Sequence, residues 1–112
     1  MLVTGGRNYD DKNKVFLALL EQSDARGNGC VLLCGMARGA DSIAYQSAIF
    51  MGWPVEKFYA DWDRYGKRAG PLRNIAMADA KPDVCLAFPG GRGTAHMVSV
   101  CIARGIPVIN CG

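Results

Sequence analysis

The sequence predicts an α/β fold: a doubly wound, Rossmann-like sheet of five parallel strands in the order 3-2-1-4-5. Five short apolar runs alternate along the chain with stretches of helical spacing. The runs are apolar throughout instead of at every second position, which is typical of parallel strands covered by helices on both faces. Right-handed crossovers between such strands give the doubly wound order.

The first half of the chain predicts two strand–helix units. The apolar run 1–4 gives the first strand. Asp10 or Asp11 can cap a helix that ends at the Arg-Gly-Asn-Gly sequence 26–29, the residue types that helix C-termini prefer. A compact apolar run at 30–34 gives the second strand, and a second helix follows it and ends at the next glycine.

The second half predicts three more strands and two long helices. The third strand is 55–59, and the segment 60–70 has mixed charges and no clear period, so we expect an excursion with room for a turn of helix. Pro71 suits the first turn of the next helix. The fourth strand, 84–88, precedes the last helix, and 106–110 gives the fifth strand.

Composition limits the possible functions. The 112 residues suit one domain, 1–112, with one core, and no apolar run reaches the ~20 residues that cross a bilayer. The chain start has no basic region followed by an apolar core, so we expect no signal peptide and a cytoplasmic protein. The net charge of +3 is too mild to indicate a nucleic-acid partner.

The cysteines do not indicate a metal or redox site. Their number, five, is odd, none forms a CxxC pair, and most lie inside apolar runs, so we expect buried free thiols. His96 is the one histidine and cannot build a zinc site with thiols at these spacings. We therefore predict no metal and no cofactor.

Three glycine-rich turns are the candidate binding site. Turn 1 (4–7), turn 2 (35–41) and turn 3 (89–94) follow strands 1, 2 and 4, whose carboxyl ends meet at the point where the strand order reverses. Glycines allow close backbone approach, and a helix N-terminus and arginines attract phosphate. The candidate ligand-binding residues are Thr4, Gly5, Gly6, Arg7, Gly35, Arg38, Gly39, Ala40, Asp41, Pro89, Gly90, Gly91, Arg92, Gly93 and Thr94.

Two common nucleotide signatures are absent. No GxGxxG follows strand 1, and GxxxxGK[ST] occurs nowhere in the chain. Ordinary dinucleotide binding and Walker-type hydrolysis of triphosphates are therefore disfavoured.

Five motifs in order resemble the YspA-like Rossmann-fold branch of the SLOG superfamily. They are TGGR (4–7), GxAxGAD (35–41), ADW (60–62), AGPxRNxxM (69–77) and PGGRGTxxM (89–97). The last is similar to the PGGxGTxxE signature of the Lonely Guy (LOG) phosphoribohydrolases, which belong to the same superfamily, as does DprA. The resemblance covers essentially the full length.

The resemblance implies binding of a nucleotide or nucleotide-derived ligand. In LOG enzymes the signature turn holds the 5′-phosphate of a nucleoside monophosphate, and an arginine and the signature glutamate support cleavage of the base–ribose bond. By motif position the arginine falls on Arg73, beside Asn74, and the glutamate falls on Met97. These three residues join the ligand-binding candidates. A thioether cannot move a proton, so LOG-type hydrolysis would need another acid.

The catalytic candidates are Arg73, Asp41 and Asp61. Asp41 could reach the crevice or could cap the second helix. Asp61 could supply an acid, or it could order its loop while Trp62 packs beneath it or stacks on a base.

Two basic residues also have alternatives. Arg73 could bind phosphate or carboxylate, or it could be a solvated arginine paired with Asp79 or Asp83. His96, in the first turn of the last helix, could contact the ligand or could stay exposed without a role.

Three functions are compatible with these residues. The favoured one is a binder of a nucleotide-like small molecule that acts as a sensor, sequestering or regulatory protein. The second is a LOG-like N-glycosidase acting on nucleoside 5′-monophosphates. Single-strand DNA binding, by analogy with DprA, is disfavoured by the mild charge. Because related SLOG proteins commonly form dimers, the resemblance also implies a homo-oligomer.

Overall fold

The computed structural model of the chain describes residues 1–26 and 30–112, and the C-terminal sequence predicted for the first helix lies partly outside them. The strands are β1 (Leu2–Thr4), β2 (Leu32–Cys34), β3 (Val55–Lys57), β4 (Cys85–Ala87) and β5 (Val108–Asn110). The helices are α1 (Lys12–Arg26), α2 (Ala40–Phe50), α3 (Trp62–Tyr65), α4 (Ala69–Asp79) and α5 (Arg92–Ala103), with a 3-10 turn at Gly66–Arg68. None of the described helices is long and apolar enough to cross a membrane.

The strands form one parallel sheet in the order β3-β2-β1-β4-β5, which confirms the predicted fold class and strand order. In register, Leu2 of β1 faces Leu33 of β2 on one side and Cys85 of β4 on the other. Each strand spans three residues, fewer than its apolar run. Phe88, one residue past β4, still donates its N–H to the carbonyl of Thr4 at 2.9 Å.

Each face of the sheet has its own apolar core. Successive residues of a strand point to opposite faces. Val3 therefore packs with Val15 and Leu19 of α1, while Leu2 packs with Met77 and Cys101 on the side of α4 and α5. The three central strands are fully buried, whereas β3 and β5 are partly exposed since they are the edges. The continuous apolar pattern thus reflects two covered faces.

The structure fixes three helix starts that the sequence left approximate. Of the two predicted capping residues, Asp11 caps α1, because its carboxylate accepts the N–H of Lys14 at 3.1 Å. The excursion 60–70 contains α3 and the 3-10 turn and runs directly into α4, which begins at Ala69, two residues before Pro71. The last helix begins at Arg92, inside turn 3, since its first intrahelical bond joins the N–H of Ala95 to the carbonyl of Gly91 at 3.0 Å.

The three glycine turns pack against each other through their backbones, with Gly6 at the centre. The N–H of Gly6 donates to the carbonyl of Pro89 at 2.8 Å, which joins turn 1 to turn 3. The carbonyl of Gly6 accepts the N–H of Ala40 at 3.2 Å, which joins turn 1 to turn 2. Gly39 has a φ of +75°, and a Cβ there would collide with the carbonyl oxygen of Gly6. The starts of α2 and α5 are therefore fixed relative to β1.

This packing predicts unequal costs for two alanine substitutions. Gly39 and Gly52 have nearly the same φ, +75° and +76°, but a Cβ at Gly52 would meet nothing within 4 Å. We expect Gly52→Ala to cost about 1–2 kcal/mol of unfolding free energy, the conformational penalty alone. Gly39→Ala should cost on the order of 4 kcal/mol or prevent folding, because it also separates turns 1 and 2. Urea unfolding of both variants measures the difference, and equal losses would contradict the packing argument.

Candidate functional site

A cavity of about 330 Å³ lies at the carboxyl ends of the central strands. Residues from all three glycine turns and from α4 surround it. Its lining comprises Val3, Thr4, Gly5, Gly6, Arg7, Gly35, Ala37, Asp41, Arg73, Asn74, Met77, Gly91, Arg92, Gly93, Thr94 and Met97. Three arginines and one carboxylate are among these residues, so the lining has an excess of positive charge. We call this space the first cavity.

The start of α5 presents free backbone N–H groups to the first cavity. Since Ala95 makes the first intrahelical bond, the N–H groups of Arg92, Gly93 and Thr94 have no partner within the helix. All three residues line the cavity, and the N-cap residue Gly91 lines it too. A Cβ added at Gly91 or Gly93 would meet nothing within 4 Å. This end of the helix is open to an anion, which its dipole also favours.

Arg73 reaches from α4 across turn 2 and is held there. Its Nη1 donates to the carbonyl of Gly35 at 2.9 Å, and its Nε is buried with no hydrogen-bond partner among the described residues. The side chain of Arg73 can pass this close to turn 2 because residue 35 is glycine: a Cβ there would lie only 3.2 Å from Nε. Burial lowers the pKa of Arg73, and the charge of Asp41 opposes that effect. Arginine stays charged in proteins, so a fixed cation lines the cavity.

The alternative for Arg73, a surface pair with Asp79 or Asp83, is wrong. The carboxylate of Asp79 pairs with Arg104, and that of Asp83 lies 3.2 Å from the amino terminus.

Asp41 is a buried carboxylate in the same cavity. Its side chain is 8% exposed and accepts the N–H of Ala37 at 3.2 Å. The N-cap of α2 is Gly39, so Asp41 lies in the first turn and the predicted capping role is wrong. Burial raises the pKa of Asp41, against the hydrogen bond from Ala37 and the charges of Arg73 and Arg7. A carboxyl with a raised pKa near a cavity is a candidate acid.

Asn74 connects α4 to the start of α5. Its buried amide nitrogen donates to the carbonyl of Gly93 at 3.3 Å and lies 3.1 Å from Nδ1 of His96. An amide NH₂ can only donate, so Nδ1 is the acceptor in this contact. His96 is half-buried by this contact and does not line the cavity. It is therefore not an idle surface residue but a support for the helix start.

Met97, at the position of the LOG glutamate, belongs to the core. It is 1% exposed and packs with Leu2, Met77 and Cys101, although one part of it reaches the cavity wall. An ionised carboxylate would be costly among these apolar neighbours. The replacement thus removes an acid and completes the packing beneath the cavity.

A second cavity, of about 440 Å³, adjoins the first. The two share Arg7, Gly35, Ala37 and Arg73. The other lining residues of the second cavity are Met36, Arg38, Tyr59, Ala60 and Trp62. The guanidinium of Arg7 lies over the indole of Trp62, 5.6 Å from the ring centroid.

The structure places most of the candidate residues at these cavities. Arg38 lines only the second cavity. Gly39, Ala40, Pro89 and Gly90 line neither and serve in the contacts between the turns. Asp61 also lines neither, because its carboxylate caps α3 by accepting the N–H of Arg64 at 3.2 Å.

Several lining residues were not among the sequence candidates. Val3, Ala37 and Met77 lie in the first cavity, and Met36, Tyr59, Ala60 and Trp62 lie in the second. Of these, Trp62 was considered in the sequence only as a residue that packs beneath its loop or stacks on a base, and not as part of the glycine-turn site. The others are apolar or small residues, and residue types of this kind occur equally in cavity walls and in the core.

Cys34, Cys85 and Cys101 are buried thiols, as predicted. Cys30 and Cys111 are partly exposed. Burial raises the pKa of Cys34 to about 11, so its thiol is not a nucleophile at neutral pH. Within the described residues no three His, Cys, Asp or Glu side chains are grouped to hold a metal ion.

The raised pKa of Asp41 predicts that its charge destabilises the unliganded fold. Unfolding lets the carboxylate ionise at its ordinary pKa of 3.8, so the penalty exists above the folded-state pKa and disappears as pH falls to below 3.8. We expect Asp41→Asn to be more stable than the parent at about pH 7, with the gain lost at about pH 3. Urea unfolding at both pH values measures it. A variant less stable at neutral pH would show that the ionised carboxylate is stabilising.

Two comparisons with known proteins identify the family of the chain. The family model of the YspA, cpYpsA-related SLOG family (YAcAr) matches residues 1–65, which contain turns 1 and 2. The chain is 46% identical over 119 residues to the Gene 61 protein of Mycobacterium phage D29, an alignment that covers all of this chain and 95% of that protein. No solved structure matches the chain. The chain belongs to the YspA, cpYpsA-related SLOG family.

Proposed function

We propose that this protein binds a nucleotide or nucleotide-derived phosphorylated small molecule in the first cavity, as a sensor, sequestering or regulatory protein. The observation that supports this most is the fixed guanidinium of Arg73 in a cavity that also holds the open start of α5. A planar fork and backbone N–H groups at a helix start are two complementary ways to bind phosphate oxygens.

The unpaired donor on Arg73 supports the same proposal. A buried N–H group with no partner costs about 1–3 kcal/mol, and such groups are rare in native proteins without a functional reason. The Nε of Arg73 is such a group among the described residues. A bound anion that drew the guanidinium toward it would recover part of this energy.

The dimensions and charge of the cavity suit a phosphorylated sugar. Small-molecule sites commonly enclose about 300–1,000 Å³, and the first cavity lies at the lower end of that range. Arg7, Arg73 and Arg92 outnumber the one carboxylate, Asp41, so a dianionic phosphate would meet a net positive lining.

One observation favours a second function, an N-glycosidase acting on nucleoside 5′-monophosphates. Asp41 lines the first cavity with a raised pKa, as a general acid requires. Two observations count against it: Met97 is buried in the core, and Asp61 is used to cap α3. The binding function is therefore the better supported of the two.

Arg73 provides the test of binding. We expect a nucleoside 5′-monophosphate at 100 times its Kd to stabilise the parent protein by about 2.7 kcal/mol, which raises its Tm by roughly 10 °C. Arg73→Ala should lose this ligand-induced shift, whatever its own Tm. Arg104→Ala is the matched control, because Arg104 lies at the far end of α5 and lines neither cavity, and it should keep the shift.

Chromatography of the same mixtures separates the two functions. Binding alone leaves the nucleotides unchanged. Release of free base by the parent but not by Asp41→Asn would establish the glycosidase instead. If no nucleotide is consumed and none raises the Tm, both functions fail.

Gly91 separates ligand binding from folding. Because a Cβ there meets nothing within 4 Å, Gly91→Val should fold with a loss of only about 1 kcal/mol from the weaker N-cap. Its side chain would occupy space that the phosphate needs, so the ligand-induced shift should disappear. Gly90→Ala is the converse control: its Cβ would lie 2.7 Å from the amide nitrogen of Gly6 and collide with Thr94, so the Tm itself should fall. Normal binding by Gly91→Val would place the phosphate elsewhere.

A further inference from the structure

The second cavity is joined to the first by shared side chains. Arg7 and Arg73 line both spaces, as do Gly35 and Ala37 of turn 2. A ligand with its phosphate at the start of α5 could therefore extend past Arg7 and Arg73 and place its other end in the second cavity. The volumes of about 330 and 440 Å³ allow each space to take one part of a nucleotide-sized molecule.

Two exposed aromatic side chains distinguish the second cavity. Trp62 is 48% exposed and Tyr59 is 68% exposed, although both are large apolar rings. Aromatic rings offer flat surfaces on which a planar group stacks, with the rest of the ring remaining wet. Neither ring belongs to the apolar cores of the sheet, so core packing does not explain their position.

Three features of the structure position the indole of Trp62. Asp61, the preceding residue, caps α3 and so fixes the backbone. Gly70 of α4 lies close to the ring, since an added Cβ there would come within 3.3 Å of Cη2. The guanidinium of Arg7 lies over the ring, as planar cations do on tryptophan. Arg7 and Trp62 therefore form a cation–π pair, and Arg7 also lines the first cavity.

The charges around the second cavity are all positive. Arg7, Arg38 and Arg73 line it, and none of its described lining residues is acidic. An electron-rich planar ring stacks well on both indole and guanidinium, whereas a cationic ring would be repelled here.

We propose that the second cavity is the ring subsite of the same ligand, in which a nucleobase stacks on the Trp62–Arg7 pair while the phosphate lies in the first cavity. This inference rests on the proposed function and makes it more specific: the ligand is a nucleotide with an intact base and not a sugar phosphate alone. Trp62 then determines specificity and takes no part in chemistry.

The test compares two probes, ribose 5-phosphate and a nucleoside 5′-monophosphate such as AMP, by isothermal titration calorimetry. The parent should bind AMP at least about tenfold more tightly than ribose 5-phosphate, the gain that one stacked base typically gives. Trp62→Ala should bind both probes with the affinity of ribose 5-phosphate, and Trp62→Phe should keep most of the preference. Tyr65→Ala is the matched control, since Tyr65 is an exposed aromatic residue of the same helix that lines neither cavity.

The outcomes separate this inference from the function it rests on. If the parent binds both probes equally, or if Trp62→Ala keeps the preference for AMP, the ring subsite is overturned while phosphate binding stands. If neither probe binds the parent, the proposed function fails and the subsite fails with it. A Trp62→Ala variant that also loses ribose 5-phosphate would show that Trp62 serves only to position Arg7, which contradicts stacking.

Discussion

The structure depends on the close backbone contact of three turns around Gly6. Its N–H and carbonyl groups join turn 1 to turns 3 and 2 at 2.8 and 3.2 Å. Contacts this short leave no room for side chains at the facing positions, Gly39 and Gly90. Because turns 2 and 3 lead into α2 and α5, the same contacts aim both helix starts at the carboxyl edge of the sheet. The first cavity is the space that this arrangement leaves open.

Charge is retained in this space at a cost to the unliganded fold. Asp41 and Arg73 are both partly removed from water, and burial shifts the pKa of each toward its neutral form. Their mutual attraction offsets only part of that effect. Met97 is the opposite case, because a position that bears an acid in LOG enzymes holds an apolar side chain in the core here.

The sequence predicted the sheet because strand order follows from local features. Continuous apolar runs indicate parallel strands, and right-handed crossovers leave few ways to connect them. The same reasoning brought the three turns to one edge, and it identified most residues of the first cavity. It could not separate the roles of the glycines: Gly90 packs against Gly6 and Thr94, while Gly91, the next residue, has open space. Two neighbouring glycines look the same in the sequence, although the segments that pack against them differ.

The sequence by itself therefore determined the fold class, the strand order and which turns meet. The tertiary structure alone decided what each charged or aromatic side chain does. Arg73 bonds Gly35, 38 positions away, and not the acids nearby in sequence. Asp41 is a buried carboxylate instead of a cap, Asp61 is a cap instead of a site acid, and Trp62 meets Arg7. These roles depend on distances between segments far apart in the chain, which hydrophobic periodicity and turn chemistry do not encode.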